Sequence, residues 1–230
     1  MGFPHGTPFA LASRYGEGDV DALRAVLGDP AQAQTWRTAV ATLGAIGGER
    51  AKAALLDFLL TDPTATLAAE EYIAKSSVPI ALGWTARVAV EAGSDDRSAL
   101  DLLIKMTNDD WWVNEAGIAW TTPIHGTRDA LLQSLIIKGF MGLALTGTPE
   151  ADVRIKEAFS QTVEGAPEPV LTPDETTAVQ NLGIDSRMAL ERVPTNTRTA
   201  ILNGGGAAFL ENLADEAERV RTQNLVGYYQ

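Results

Sequence analysis

The chain contains no cysteine. Without thiols it cannot form disulfides, bind zinc or an iron–sulfur cluster through cysteine, or use a cysteine nucleophile. Histidine is also scarce, because His5 and His125 are the only two. A zinc site would therefore need two or three carboxylates to complete its ligands. We expect neither a metal centre nor a cofactor.

Basic clusters and long apolar runs are missing as well. The net charge is −12, and contacts to nucleic-acid phosphates require clustered Lys and Arg. We therefore expect no nucleic-acid partner, and the acidity favours a basic protein partner instead. The longest apolar segment, residues 131–147, contains Lys138 and is short for a membrane span. It predicts a buried helix.

The first residues, "MGFPHGTPFALASRYGEG", have early turn residues and no long apolar core. This pattern does not predict a signal peptide. We interpret residues 1–18 as an N-terminal extension. The compartment stays open between the cytoplasm and a trimmed secreted or periplasmic form, since a cysteine-free chain is stable in either.

Residues 19–62, "DVDALRAVLGDPAQAQTWRTAVATLGAIGGERAKAALLDFLLTD", predict three consecutive helices. Asp29-Pro30 separates the first two, apolar residues recur at helical spacing, and Gly47-Gly48 ends the second. Similar glycine-turn starts recur at Gly93 and Gly147. Their spacing is close to the roughly 40–47 residues of helical repeats, with an excess in the second interval. That excess falls on residues 108–127.

The stretch "VLGDPAQAQTWRTAVATLGAIGGERA" resembles a HEAT repeat. It has Asp-Pro between the paired helices, a small-residue inner helix and a Leu-Gly-x-Ile-Gly ending. Thr35-Trp36 stands where the family commonly has Val-Arg. "VPIALGWTARVAVEAG" and "LIIKGFMGLALTG" resemble degenerate inner helices. The resemblance implies an all-α fold, a short right-handed α-solenoid of about four HEAT-like hairpins that presents a concave surface.

The domain organisation follows from this resemblance. Residues 19–165 form the HEAT-like region, with an insertion at 108–127, and residues 166–230 form a helical C-terminal cap. The final segment "AAFLENLADEAERVRTQ" predicts a long charged helix, and the ends of a solenoid need a polar outer face.

The insertion "NDDWWVNEAGIAWTTPIHGT" contains three of the five tryptophans. One interpretation is that Trp111 or Trp112, together with Trp120, packs beneath the fold. The other is that exposed rings form a binding platform. Adjacent rings point to opposite sides of an extended chain, so one ring would face outward in either case. The candidate partner-binding residues are Trp111, Trp112, Trp120, His125, Asp110 and Glu115.

The acidic residues do not form a recognisable catalytic or calcium motif. "NDD" followed by "NE" offers oxygen ligands but lacks the spacing and glycine of an EF-hand loop. Several carboxylate pairs stand at predicted helix starts, where they stabilise the free N–H groups. Neither a Gly-x-Ser-x-Gly motif nor a phosphate-binding Gly-Lys-Ser/Thr loop is present.

The sequence therefore favours a non-catalytic interaction or scaffold module that binds a protein or peptide. The alternative is a hydrolase or lyase that uses Asp109, Asp110, Glu115 and His125 of the insertion, because helical-repeat folds also host enzymes. A third interpretation is a subunit of a larger assembly, held by an edge of the solenoid.

Overall fold

The computed structural model describes Ala12, residues 14–151, Val153 and Arg154. This part of the chain is helical and contains no β-strand, which confirms the all-α class for it. The chain divides into two compact units, Met1–Thr146 and Gly147–Gln230. The first unit contains α1 (Val20–Leu27), α2 (Ala33–Ile46), α3 (Gly48–Leu60), α4 (Ala69–Ser76), α5 (Val78–Glu91), α6 (Ser98–Met106) and α7 (Arg128–Leu145).

The helix boundaries follow local chemistry that is visible in the sequence. Asp29 accepts a hydrogen bond from the Ala31 amide at 3.0 Å, and Pro30 occupies the first turn of a short 3-10 helix before α2. Gly47 ends α2 with a φ of 69°, in the left-handed region that favours glycine. Thr127 caps α7 by accepting from the Ala130 amide at 3.2 Å. The predicted break at Asp29-Pro30 and the stop at Gly47 are confirmed.

α5 is the central helix of the first unit. It packs between α2 and α7, and it also contacts α3 and α6. α1 packs against α2 and α3, and α4 packs mainly against α2. We call α2, α5 and α7 the central helices. The core of the first unit has fully buried aliphatic side chains at Leu43, Leu55, Leu82, Leu103 and Leu135.

Glycine lets the central helices approach one another closely. A Cβ at Gly83 of α5 would lie under 3.0 Å from the Gly142 carbonyl of α7, and a Cβ at Gly142 would meet the Pro79 carbonyl. A Cβ at Gly44 of α2 would lie 2.7 Å from the Ala81 carbonyl oxygen of α5. The neighbours are backbone atoms, which cannot rotate away. The small-residue helices identified in the sequence are therefore the helices that touch through their backbones.

The segment 131–147 and the C-terminal residues were also assigned a structure from the sequence. The apolar segment 131–147 forms most of α7, and no helix of the described residues is long and apolar enough to cross a membrane. The repeat pattern did not predict α4, which lies between α3 and α5. The proposed cap, residues 166–230, lies outside the described residues.

Candidate functional site

The insertion begins with a helical turn. The Asn108 carboxamide oxygen accepts from the Asp110 amide at 2.9 Å, and Trp111–Glu115 form a π-helical turn. The turn closes with hydrogen bonds from Ala116 to the Trp111 carbonyl and from Ile118 to the Trp112 carbonyl, both 2.8 Å. π-Helical turns are rare and hold an extra residue in the helical backbone. This local winding decides where the two adjacent tryptophans point.

Trp111 and Trp112 both face the interior. Their exposed fractions are 6% and 0%, and their rings meet edge to face with centroids 4.8 Å apart. The Trp112 indole N–H donates to the Met106 carbonyl at 2.8 Å. The expectation that one ring faces outward is wrong, because it assumed an extended chain and the backbone here is wound. The packing interpretation of the tryptophans agrees with this burial.

The second half of the insertion is joined to the connection between α3 and α4. The Ala119 amide donates to the Pro63 carbonyl at 2.7 Å, and the Leu67 amide donates to the Thr121 carbonyl at 2.9 Å. The buried Trp120 donates its indole N–H to the Asp62 carbonyl at 3.1 Å. Two segments far apart in the sequence thus form one hydrogen-bonded unit.

Lys75 of α4 lies buried beneath this unit, with 1% of its surface exposed. Its ammonium group donates to the Thr61 carbonyl and lies 3.7 Å from a carboxylate oxygen of Glu71. It also lies 5.5 Å and 5.4 Å from the ring centroids of Phe58 and Trp120. Burial lowers the pKa of Lys75, and the nearby carboxylates oppose that shift. We call these partners the Lys75 cage. They stabilise the charged ammonium group, which burial alone would disfavour.

His125 joins a second, partly buried polar group. Its Nε2 lies 2.8 Å from the Tyr72 hydroxyl, which donates to the Ser134 hydroxyl at 2.9 Å. The His125 and Tyr72 rings meet edge to face at 5.0 Å. Burial raises the pKa of the Tyr72 phenol, so it stays protonated and can donate. This group connects the end of the insertion to α4 and α7.

We expect Tyr72→Phe to lower the free energy of unfolding by about 1–2 kcal/mol, because it removes the buried hydroxyl that bonds to two half-buried polar partners. Urea denaturation would measure the loss. Tyr15→Phe is the matched control, since Tyr15 is 49% exposed. Equal stability of the two variants would show that the hydroxyl contributes nothing.

The acidic candidates point into solvent. Asp109, Asp110 and Glu115 are exposed. Asp110 accepts from the Asn114 carboxamide at 2.6 Å, and Glu115 pairs with Lys105 at 2.7 Å. Within the described residues, no group of three or more His, Asp or Glu side chains could hold a metal ion. Partner binding by the six predicted residues stays a prediction, although the three buried indole rings offer little surface for it.

A second candidate surface lies on the central helices. Ile80, Trp84 and Arg87 share one side of α5, at spacings of four and three residues, and all three are half-buried. The Arg87 guanidinium lies 5.6 Å from the Trp84 ring centroid and donates to Glu91 at 2.7 Å. We define the central face as Ile80, Trp84 and Arg87 of α5 together with Arg37 of α2 and Lys138 of α7.

Lys138 is the least favourable charge on this face. It is half-buried in a helix that is otherwise apolar over most of its length. Burial and the like charge of Arg37 both lower the pKa of Lys138. In the sequence, Lys138 is evidence only against a membrane span. A single Lys in the middle of an apolar helix was the signal that could have identified this desolvated charge.

We expect Lys138→Met to raise the free energy of unfolding by about 1 kcal/mol near neutral pH, because it removes a desolvated charge that no carboxylate among the described residues compensates. The folded-state pKa is lowered, so the wild type gains stability as pH rises through that pKa toward 10.5. The stability difference between variant and wild type should therefore shrink in this alkaline window. Urea denaturation at several pH values would measure it.

Lys75→Met is the matched control. It removes a more deeply buried lysine whose ammonium is bonded within the Lys75 cage, so we expect a loss of stability instead of a gain. A destabilised Lys138→Met variant would show that Lys138 is compensated as well.

No family model, curated protein or solved structure matches the chain. The functional conclusion therefore depends on the chain's own residues and their geometry.

Proposed function

We propose that the protein is a HEAT-like interaction module that binds a protein or peptide on its central face. The observation that supports it best is the glycine-mediated packing of α2, α5 and α7. Helices whose backbones touch cannot shift easily relative to one another. The side chains that project from them are therefore held at fixed positions.

The residues on the central face suit this role. Trp and Arg are enriched at the positions that contribute most to protein interfaces, and Trp84 and Arg87 stand together on α5. Both side chains are half-buried, so they would lose little conformational entropy when a partner binds. A rigid helical surface that carries an aromatic ring and cations is well suited to an extended peptide.

The hydrolase or lyase alternative has weaker support. It requires an acid that works with His125, within hydrogen-bond reach or through one water. Asp110 and Glu115 are bonded to Asn114 and Lys105, and the His125 ring bonds to Tyr72. These contacts hold the insertion in place.

A peptide-display selection against the full chain would test the proposal. Selected peptides should bind the wild type and lose roughly tenfold or more of their affinity on Trp84→Ala, the size expected when an interface anchor is removed. Arg87→Gln provides a second variant on the same face. Trp84 is half-buried, so circular dichroism should show both variants folded.

Val90→Ala is the matched surface control, because Val90 is 50% exposed and lies on the same helix outside the central face. It should leave peptide affinity unchanged. Selected peptides that bind both central-face variants as tightly as the wild type would contradict the proposed function.

A further inference from the structure

Residues 117–126 lead from the π-helical turn to the cap of α7 and have a glycine at each end. We call this segment the strap. Gly117 has a φ of 65°, in the left-handed region, and a Cβ at Gly117 or Gly126 would meet no atom within 4 Å. Glycine adopts more backbone conformations than other residues. The open space around both glycines leaves room for the backbone to bend at each end of the strap.

The strap has few buried side chains. Within residues 117–126, all of which the structure describes, only Ile118 and Trp120 are buried. The backbone hydrogen bonds to the connection between α3 and α4 measure 2.7, 2.9 and 3.2 Å. The hydroxyls of Thr66 and Thr121, both exposed, lie 2.8 Å apart. Segments with few buried apolar contacts and exposed hydrogen bonds open at a lower free energy than the core.

The strap is anchored at two places and bonded within itself between them. Trp120 donates to the Asp62 carbonyl, and the His125 ring bonds to Tyr72. The Thr122 hydroxyl accepts from the His125 amide at 3.1 Å and from the amide that precedes it at 3.2 Å. This turn links the two anchors, so release of both would free the strap as one piece.

The helices beneath the strap are held independently of it. α5 and α7 touch through backbone atoms at Gly83 and Gly142. α7 is capped by Thr127, which lies outside the strap. The strap can therefore separate without disturbing the packing of the central helices.

We propose that the strap opens as one unit about Gly117 and Gly126, and that this opening exposes Lys75 while the central helices stay packed. In the closed form Lys75 has 1% of its surface exposed, and the Trp120 ring centroid lies 5.4 Å from its ammonium group. The strap therefore controls solvent access to a buried cation. The central face takes no part in this movement, so the inference is independent of the proposed function.

Hydrogen exchange of the full chain at increasing urea would test the inference. The amides of Ala119, Thr121 and Leu67 bond across the edge of the strap. They should share one protection factor, roughly tenfold or more below that of the α5 amides, and low urea should change it little. Three unequal protection factors would contradict a single opening unit. Protection and urea dependence equal to those of α5 would overturn the proposal, because the strap would then open only when the molecule unfolds.

Two substitutions distinguish this opening from unfolding. Val40→Ala removes buried apolar contacts in α2, so it should lower the protection of the α5 amides roughly tenfold and leave the three strap-bonded amides unchanged. Trp120→Phe removes the indole bond to Asp62 and should lower the protection of all three by about fivefold. Equal losses at the strap and at α5 in Val40→Ala would contradict a separate opening.

A disulfide would hold the strap closed. The chain contains no cysteine, so Thr66→Cys combined with Thr121→Cys allows a single disulfide in place of the hydroxyl pair. Oxidation should raise the protection of the amides at positions 119 and 121 to that of the α5 amides, and reduction should restore the difference. Strap amides that exchange as fast in the oxidised variant as in the reduced one would overturn the proposal.

Discussion

Gly142→Ala should lower the free energy of unfolding by about 3 kcal/mol or more, at the upper end of the cost of overpacking a core. The added Cβ would overlap the Pro79 carbonyl of α5 and approach Leu103 of α6. Backbone cannot rotate away, so α5 and α7 would have to separate. Alanine is about 1 kcal/mol better than glycine inside an exposed helix, and this overlap should outweigh that gain.

Urea denaturation of Gly142→Ala beside Gly126→Ala would measure the effect. A Cβ at Gly126 meets no atom within 4 Å and its backbone is not in the left-handed region, so that control should keep nearly full stability. Equal stability of the two variants would show that the central helices can separate at little cost.

Trp112→Ala should lower the free energy of unfolding by about 3–5 kcal/mol, the usual cost of truncating a large buried aromatic side chain. The ring is fully buried and its N–H is bonded to the Met106 carbonyl. The variant would lose this hydrogen bond as well as the apolar contacts. Thermal and urea unfolding would report the loss.

Trp84→Ala is the matched comparison, because Trp84 is only half-buried. We expect it to lose peptide binding with a much smaller loss of stability. The binding-platform interpretation of the insertion predicts the opposite for Trp111→Ala or Trp112→Ala, namely a larger loss of partner binding than of stability. A Trp112→Ala variant that melts like the wild type and loses a partner would restore that expectation.

The helical class and several boundaries were accessible from the sequence because short-range chemistry sets them. The Asp29-Pro30 break and the Gly47 stop each depend on neighbouring residues. The glycines of α5 and α7 were also visible as small-residue patterns. Their pairing was not, because Gly83 and Gly142 meet only through the tertiary packing of helices distant in sequence.

The candidate site was harder to predict for the same reason. The location of the insertion followed from an interval too long for one repeat. Its conformation depends on a π-helical turn and on hydrogen bonds to residues 63–67. Lys75 has nothing unusual in its immediate sequence; its burial comes from Phe58 and Trp120, which belong to different segments.

The Lys75 cage gives the molecule a built-in chemical reporter of local opening. The ammonium is covered by Trp120, and Trp120 belongs to the segment bonded to residues 62–67. An amine-acylating reagent can reach Lys75 only when that segment separates, so its modification rate measures the frequency of this event. The exposed Lys105 reacts without any opening and supplies the reference rate. The ratio of the two rates would give the free energy that separates the closed and open insertion in the native protein.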